Sequence, residues 1–228
     1  MEQFLDILLQ LAAGFGNTVL LFALTLVFAL PLGLAMAFGS MSKFKPLQWL
    51  IKGIIWVIRG TPLMLQILLV SFLPSYVFNT PTKNLAAALH LSMNAMSFVF
   101  VLVAFILNYA CYFSEIYRSG IQAIPVGQYE GGRVLGLTEG QIFRKIIFAQ
   151  VIRRILPPMS NEIITLVKDT SLARVLGVID LLTAAQSAVN HYVILSPLLY
   201  ATVFYLIFNG ILTLVLGSLE KKLSYYKV

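Results

Sequence analysis

Residues 18–41 read TVLLFALTLVFALPLGLAMAFGSM, a run with no charged side chain. An α-helix of about 20 apolar residues crosses the roughly 30 Å hydrocarbon core of a bilayer, so this run is long enough to span one. Pro31 and Gly33 interrupt it, and membrane helices tolerate such residues because neighbouring groups re-satisfy the freed backbone. The rest of the chain has the same character. Of 228 residues, 59% are hydrophobic and 11% charged, against about 45–50% and about 25% in a soluble domain. A single soluble core of this size cannot hide so much apolar surface. The composition excludes an ordinary globular enzyme and a disordered chain, and one cysteine, Cys111, excludes a disulfide framework.

Working outward, the stretch before this run, Met1 to Gly16, carries Glu2 and Asp6 but no Lys or Arg. It lacks the basic region and small-residue cleavage site of a signal peptide and is expected to stay in the mature protein. Phe4, Ile7, Leu8 and Leu11 predict a short amphipathic helix lying on the membrane. Further spans are expected at 50–73, 95–117, 159–176 and 194–219, giving an all-α integral membrane protein with about five transmembrane helices in a single transmembrane domain. The second contains Arg59-Gly60-Thr61-Pro62. Thr-Pro is also a good helix start, but only about a dozen apolar residues follow, too few to span; one kinked helix from Leu50 is expected. A loop with a short helix at Leu85 to Leu91 joins spans two and three.

The charges then sort by loop. Lys43, Lys45, Lys52 and Arg59 fall between or at the near ends of spans one and two. Arg118, Arg133, Arg144, Lys145, Arg153 and Arg154 lie between spans three and four, and Lys221, Lys222 and Lys227 follow span five. Of the 16 basic residues only Lys83 sits clearly in an opposite-side loop, with Lys168 and Arg174 in or near the fourth span. The positive-inside rule sets the N-terminus outside and the C-terminus in the cytoplasm. The net charge of +7 is therefore a topology signal, and no nucleic-acid surface is expected.

The segment 118–158 is long for a cytoplasmic connection. Pro125-Val126-Gly127 marks a turn, and Gln128 to Leu137 reads as a short helix ended by Gly136. Thr138 with Gln141 three residues on matches a capping box, opening a second helix that Pro157-Pro158 is expected to stop. Within it, Glu130-Gly131-Gly132, three residues, Gly136, nine residues, Ile146, one residue, Phe148-Ala149 resembles the EAA loop of ABC-importer permeases. There the pattern is Glu-Ala-Ala, three residues, Gly, nine residues, Ile-x-Leu-Pro. The spacing matches; Gly131 and Gly132 replace the alanines, and Phe148-Ala149 replaces Leu-Pro. Two glycines weaken a helix by about 1 kcal/mol each relative to alanine. The runs Glu115 to Ile121, Ile124 to Gln128, Arg59 to Pro62 and Asn161 to Leu172 are similar to the polar amino-acid branch of that family.

The resemblance implies a coupling helix, with Glu130, Gly131, Gly132, Arg133 and Gly136 at its core, seated on a cytoplasmic ATPase. It implies a second permease subunit (a copy or a relative), two ATPase subunits, an extracytoplasmic substrate-binding protein, a bacterial cell membrane and an amino-acid cargo. The chain has no G-x-x-x-x-G-K-[ST] run to cradle phosphates. It is therefore expected to carry no cofactor and no enzymatic activity of its own, with ATP-Mg held on the partner.

Ionisable residues inside a span are rare and are functional candidates. Glu162 and Asp169 are seven apart, on nearly one helix face, with Thr165 between them. Two uses fit: a site holding an amino acid's ammonium or basic side chain, or a structural one in which Asp169 pairs with Lys168, Arg174 or a helix end and Glu162 sits at the interface. Ser171, Gln66 and Asn108 are further candidates for the path, although polar residues in spans more often bond helix to helix. Arg59 is placed to meet Glu115 or a lipid phosphate, and Tyr109, Tyr112, Phe113 and Tyr117 read as packing and interfacial anchors. His90 and His191, without acidic or Cys neighbours, predict no metal site. An ion-coupled secondary carrier built on Glu162 and Asp169 is the alternative, but it calls for internal repeats and more spans.

Overall fold

A computed structural model describes residues 2–223; Lys227 of the basic tail lies outside them. Every regular element among these residues is helical. The first, α1 (Glu2–Ser40), is one unbroken helix, so the expected separate surface helix does not exist. The reason lies in the pattern: Ile7, Leu11, Thr18, Leu21, Phe22, Thr25, Ala29, Met36 and Ala37 are all buried. Their spacing of three, four or seven residues, with adjacent pairs at 21–22 and 36–37, keeps one stripe continuous through residue 17. The apolar face assigned to the membrane surface is instead a packing face.

The second expected span is also corrected. α2 (Lys45–Arg59) and α3 (Leu63–Val77) are separate helices that turn through 113° at Gly60-Thr61-Pro62. Pro62 lacks an N–H and biases Thr61 away from helical geometry. After α4 (Thr82–Ala88), α5 (Met93–Gln122) runs through the middle of the molecule. Ser92 caps it, accepting a 3.2 Å hydrogen bond from the Ala95 N–H. Val101, Ala104, Phe105, Tyr109, Ala110 and Phe113 are buried in the main core with residues of α1, α3 and α8. At Gly33 the backbones of α1 and α5 nearly touch, since a Cβ there would lie 2.9 Å from the Ala110 carbonyl oxygen.

The cytoplasmic segment forms α6 (Val126–Val134) and α7 (Glu139–Ile142), and a π-helical turn (Phe143–Ile147) leads into α8 (Phe148–Asp169). Pro157 and Pro158 lie inside α8 and do not stop it, contrary to expectation. From Thr170 the helix tightens to 3-10 geometry as far as Leu176. α9 (Leu181–Tyr192) follows at 57°, and α10 (Ser196–Leu223) closes the described chain. Asp180 caps α9, accepting from the N–H groups of Leu182 and Thr183. Asn17 donates to Ile179 O (2.8 Å), and the Leu181 N–H donates to Thr18 Oγ1 (3.1 Å). α9 is thus fastened along the first half of α1, with Tyr192 donating to Asp6 at the far end. α1, α5 and α10 are each long and apolar enough to cross a bilayer, and the bent pairs 45–77 and 139–192 bring the number of candidate spans to five.

Candidate functional site

The sharp turn between α2 and α3 strands carbonyl groups in an apolar setting, where each unmet group is costly. Local side chains collect them. The Thr61 hydroxyl donates to Val57 O at 3.0 Å. The Gln66 amide N–H groups are shared among Ile58 O (2.7 Å), Thr61 O (3.0 Å) and Thr61 Oγ1 (2.9 Å). Gln66 Oε1 in turn accepts from Asn108 Nδ2 of α5 at 2.9 Å. Gln66 and Asn108, both buried, therefore meet each other and pin the turn to α5. Of the two uses open to them, helix bonding is the one the geometry displays.

One residue beyond Asn108, the buried Tyr109 donates its O–H to Asp169 Oδ2 at 2.7 Å. This joins α5 to the end of α8. The pairing of Asp169 with Lys168 or Arg174 weighed above is replaced by a tyrosine from another helix. The other Asp169 oxygen accepts no hydrogen bond among the described residues. Glu162 and Asp169 are both half-buried and Thr165 between them is exposed. The three share a face of α8 that the bundle leaves partly open. The Thr165 hydroxyl bonds Asn161 O (2.9 Å) and that of Ser171 bonds Lys168 O (2.8 Å). Both satisfy their own helix. Thr170 bonds Val167 O, a back-bonding that favours the tighter geometry beginning there.

Toward the basic end of α5 lies a cleft of about 500 Å³, lined by Lys52, Trp56, Arg59, Tyr112, Glu115 and Arg118 among others. Arg118 holds Glu115 by two bonds of 2.7 and 2.9 Å. Arg59 approaches the same carboxylate only to 3.7 Å. Its guanidinium instead lies 5.1 Å from the centroid of the Tyr112 ring, within cation–π range. Tyr112 contacts Tyr109, ring centroids 6.4 Å apart. Tyr109 is the packing residue expected of it, buried in the main core, and it also meets Asp169. The step of three residues from Tyr109 to Tyr112 along α5, beside Asn108, was the available sign that they line one polar face.

The α6 segment is held by a small core of Ile124, Ile142, Ile147 and Val151. The helix is Val126–Val134, slightly earlier than expected, and Gly136 follows at φ +73°. Leu137 N–H bonds Gly132 O at 3.1 Å, the pattern of a left-handed glycine C-cap. The Thr138–Gln141 capping box is formed in both directions. Gly132 sits against Ile142, where a Cβ would come 2.6 Å from the isoleucine Cγ1, whereas Gly131 faces open space. Glu130, Gly131 and Arg133 are exposed, as are Val126 (67%), Val134 (87%) and Leu135 (75%). Arg133 pairs with Glu139 at 2.7 Å, and that hydrogen bond holds its guanidinium above the ordinary arginine range.

A helical bundle with several candidate spans, two half-buried acids on one helix, a polar cleft and a small exposed helical knob has the make-up of a transport subunit. A family model described as the inner membrane component of binding-protein-dependent transport systems matches residues 29–225. The L-cystine transport system permease protein TcyB of Bacillus subtilis (strain 168) is 35% identical over 219 residues, covering 95% of this chain and 87% of that protein. The arginine transport system permease protein ArtQ of the same organism is 32% identical over 213 residues, covering 92% and 91%. A crystal structure of an amino acid ABC transporter with histidines superposes with a TM-score of 0.80 at 28% identity, covering 96% of each chain. The chain belongs to the binding-protein-dependent inner-membrane transport components, as a permease subunit of an amino-acid ABC importer. Such a subunit works with an ATPase and a substrate-binding protein, and the ion-coupled carrier weighed above gives way to it.

Proposed function

We propose that this subunit imports polar, preferentially basic, amino acids by alternating access, with the Glu162–Asp169 face of α8 meeting the positive charge of the cargo. The observation that carries this is the half-buried pair of acids on an open helix face, one of them oriented by Tyr109. A carboxylate in a low-dielectric setting needs a cation, and an amino acid supplies one. Thr165 and Ser171 flank the acids; Gln66 and Asn108 support them from behind, by fixing α5. One subunit of about five spans does not enclose a polar path, so it pairs with a second permease subunit, either a copy or a relative.

On this reading α6 is the seat for one of two ATPase subunits. Its exposed Val126, Val134 and Leu135 supply apolar contact, Glu130 and Arg133 supply charge, and Gly132 lets it rest on Ile142. ATP-Mg is held and cleaved on the ATPase, whose closure shifts the spans between inward-open and outward-open states. The basic stretch of α8 and the basic end of α10 lie together, with Arg153 and Lys221 lining one cleft. This supports a cytoplasmic C-terminus and an outer N-terminus in a bacterial cell membrane, with the binding protein on the N-terminal side.

The test is uptake into proteoliposomes holding the whole importer. Asp169→Asn is expected to lower arginine entry far more than glutamine entry; unchanged arginine entry with lost glutamine entry overturns the basic preference. Separately, Glu130→Ala and Gly136→Val are expected to uncouple ATP hydrolysis from uptake. The seat on α6 is disproved if ATPase co-purification and coupled uptake survive both.

A further inference from the structure

α6 meets the start of α8 through two kinds of contact. One is apolar: Ile124, Ile142, Ile147 and Val151 form a small core, Tyr129 of α6 packs on it, and Gly132 of α6 lies against Ile142. Such packing is non-directional, so it holds α6 down without fixing how α6 sits. The other contact is polar and directional. Gln150, in the first turn of α8, places its amide nitrogen 3.1 Å from Gln128 Oε1 on α6 and 3.1 Å from Ile146 O in the π-helical turn. A glutamine amide carries two hydrogens, so both bonds form together. Gln128 and Gln150 are half-buried and 22 positions apart. One side chain thus ties α6, the π-helical turn and the head of α8 to each other.

Beyond this tie, α8 continues unbroken to Asp169, which Tyr109 holds at 2.7 Å. Glu162 and Asp169 lie about 18 and about 28 Å along the helix axis from Gln150, at 1.5 Å per residue. The π-helical turn, Phe143–Ile147, sits between the α6 segment and this rod. Single π turns of this kind occur frequently at functional sites, and here the turn is the place where motion of α6 is absorbed or passed on.

We propose that Gln150 is a positioning residue of ATP coupling: by holding Gln128 and the Ile146 carbonyl at one amide nitrogen, it makes α6 and α8 move as one body. It rests on the function proposed above, in which α6 is the ATPase seat and α8 carries the cargo acids. Displacement of α6 by the ATPase then reaches the Glu162–Asp169 face. Without the tie, α6 still meets the ATPase through Val126, Val134 and Leu135, and its motion is spent in the π-helical turn. Gln150 touches neither cargo nor nucleotide and acts through the two helices it joins.

The experiment uses the whole importer in proteoliposomes and reads arginine taken up per ATP hydrolysed. Gln150→Leu is expected to lower that ratio about fivefold, the lower end of site-to-site coupling, while the ATPase still co-purifies and hydrolysis continues. Gln128→Leu should give a loss of similar size, and the double variant no more than Gln150→Leu alone, because both remove the same bond. Gln128→Glu keeps an acceptor for the Gln150 amide and should retain most of the parental ratio. An unchanged ratio in Gln150→Leu overturns the proposal, as does full additivity in the double variant. A parallel fall of uptake, hydrolysis and co-purified ATPase assigns the pair a merely structural role and overturns it too.

A second readout needs neither cargo nor ATP. Spin labels at Gly127→Cys, which faces open space on α6, and at Arg154→Cys, exposed on α8, report the distance between the helices in the whole importer, in a Cys111→Ser background. The distance distribution is expected to broaden with Gln150→Leu; equal widths overturn the tie. Failure of the underlying reading looks different. If Glu130→Ala and Gly136→Val leave ATPase docking and coupled uptake intact, α6 is not the seat, and the label distances still decide whether Gln150 fixes α6 on α8.

Discussion

At Gly60-Thr61-Pro62 the chain turns through 113°, whereas at Pro157-Pro158 α8 runs on from Phe148 to Asp169. Both stretches remove backbone donors, and the second removes two in succession. The difference lies in what collects the carbonyls left behind. Around residue 61, the Thr61 hydroxyl and the Gln66 amide gather the carbonyls of residues 57, 58 and 61, and Asn108 of α5 locks Gln66 in place. Around residue 157 no comparable glutamine–threonine cluster forms among the described residues. A π-helical turn lies earlier, where the Phe148 N–H reaches Phe143 O, and Ser160 bonds Leu156 O at 2.9 Å. Proline permits a break, and a polar partner able to satisfy the broken ends makes one.

Four substitutions test this contrast. Gln66→Leu should have the largest effect, because it removes the 2.7 Å donor to the Ile58 carbonyl and leaves the buried Asn108 amide without its acceptor. A loss of about 2 kcal/mol is expected, measured by thermal unfolding in nanodiscs. Thr61→Val removes one hydroxyl from the same cluster and should cost about 1 kcal/mol by the same measurement. Pro62→Ala should change stability by less than about 1 kcal/mol and leave the turn in place, with spin-label distances between α2 and α3 unchanged; straightening of the pair would show that proline alone makes the break. Pro157→Ala restores a backbone N–H inside α8 and should be the smallest effect, a change of about 0.5 kcal/mol.

Spans whose evidence is local were legible from residue order. α5 and α10 announce themselves by long runs of apolar residues, and the Thr138–Gln141 cap by two residues three apart. The continuity of α1 was present too, in the stripe from Ile7 to Ala37, but a surface-seeking helix and a packed one carry the same pattern until a partner is known. At residues 60–62 the helix-start signal was correctly visible and was outweighed by a length rule that holds only for spans crossing in one piece. The site was partly legible. Glu162 and Asp169 stand out because acids are rare in spans, yet Tyr109 bonds Asp169 across 60 positions and Asn108 bonds Gln66 across 42. No local periodicity encodes which tyrosine meets which acid; that depends on how α5 is seated, and Gly33 seats it by letting α1 come close.

The 39 residues of α1 make a rod of about 58 Å at 1.5 Å per residue. Inclined by 40°, the steep end of the usual range, it still covers about 44 Å along the membrane normal, well beyond the roughly 30 Å hydrocarbon layer. One or both tips therefore stand among the headgroups or in water whatever its inclination. Such a rod behaves as a lever: rocking it by about 10° around its centre sweeps each tip through about 5 Å in opposite directions, since each arm is about 29 Å. With α9 lashed to one arm and α5 pressed against the other, a displacement introduced at one aqueous face arrives at the opposite face without any residue between them changing its backbone shape.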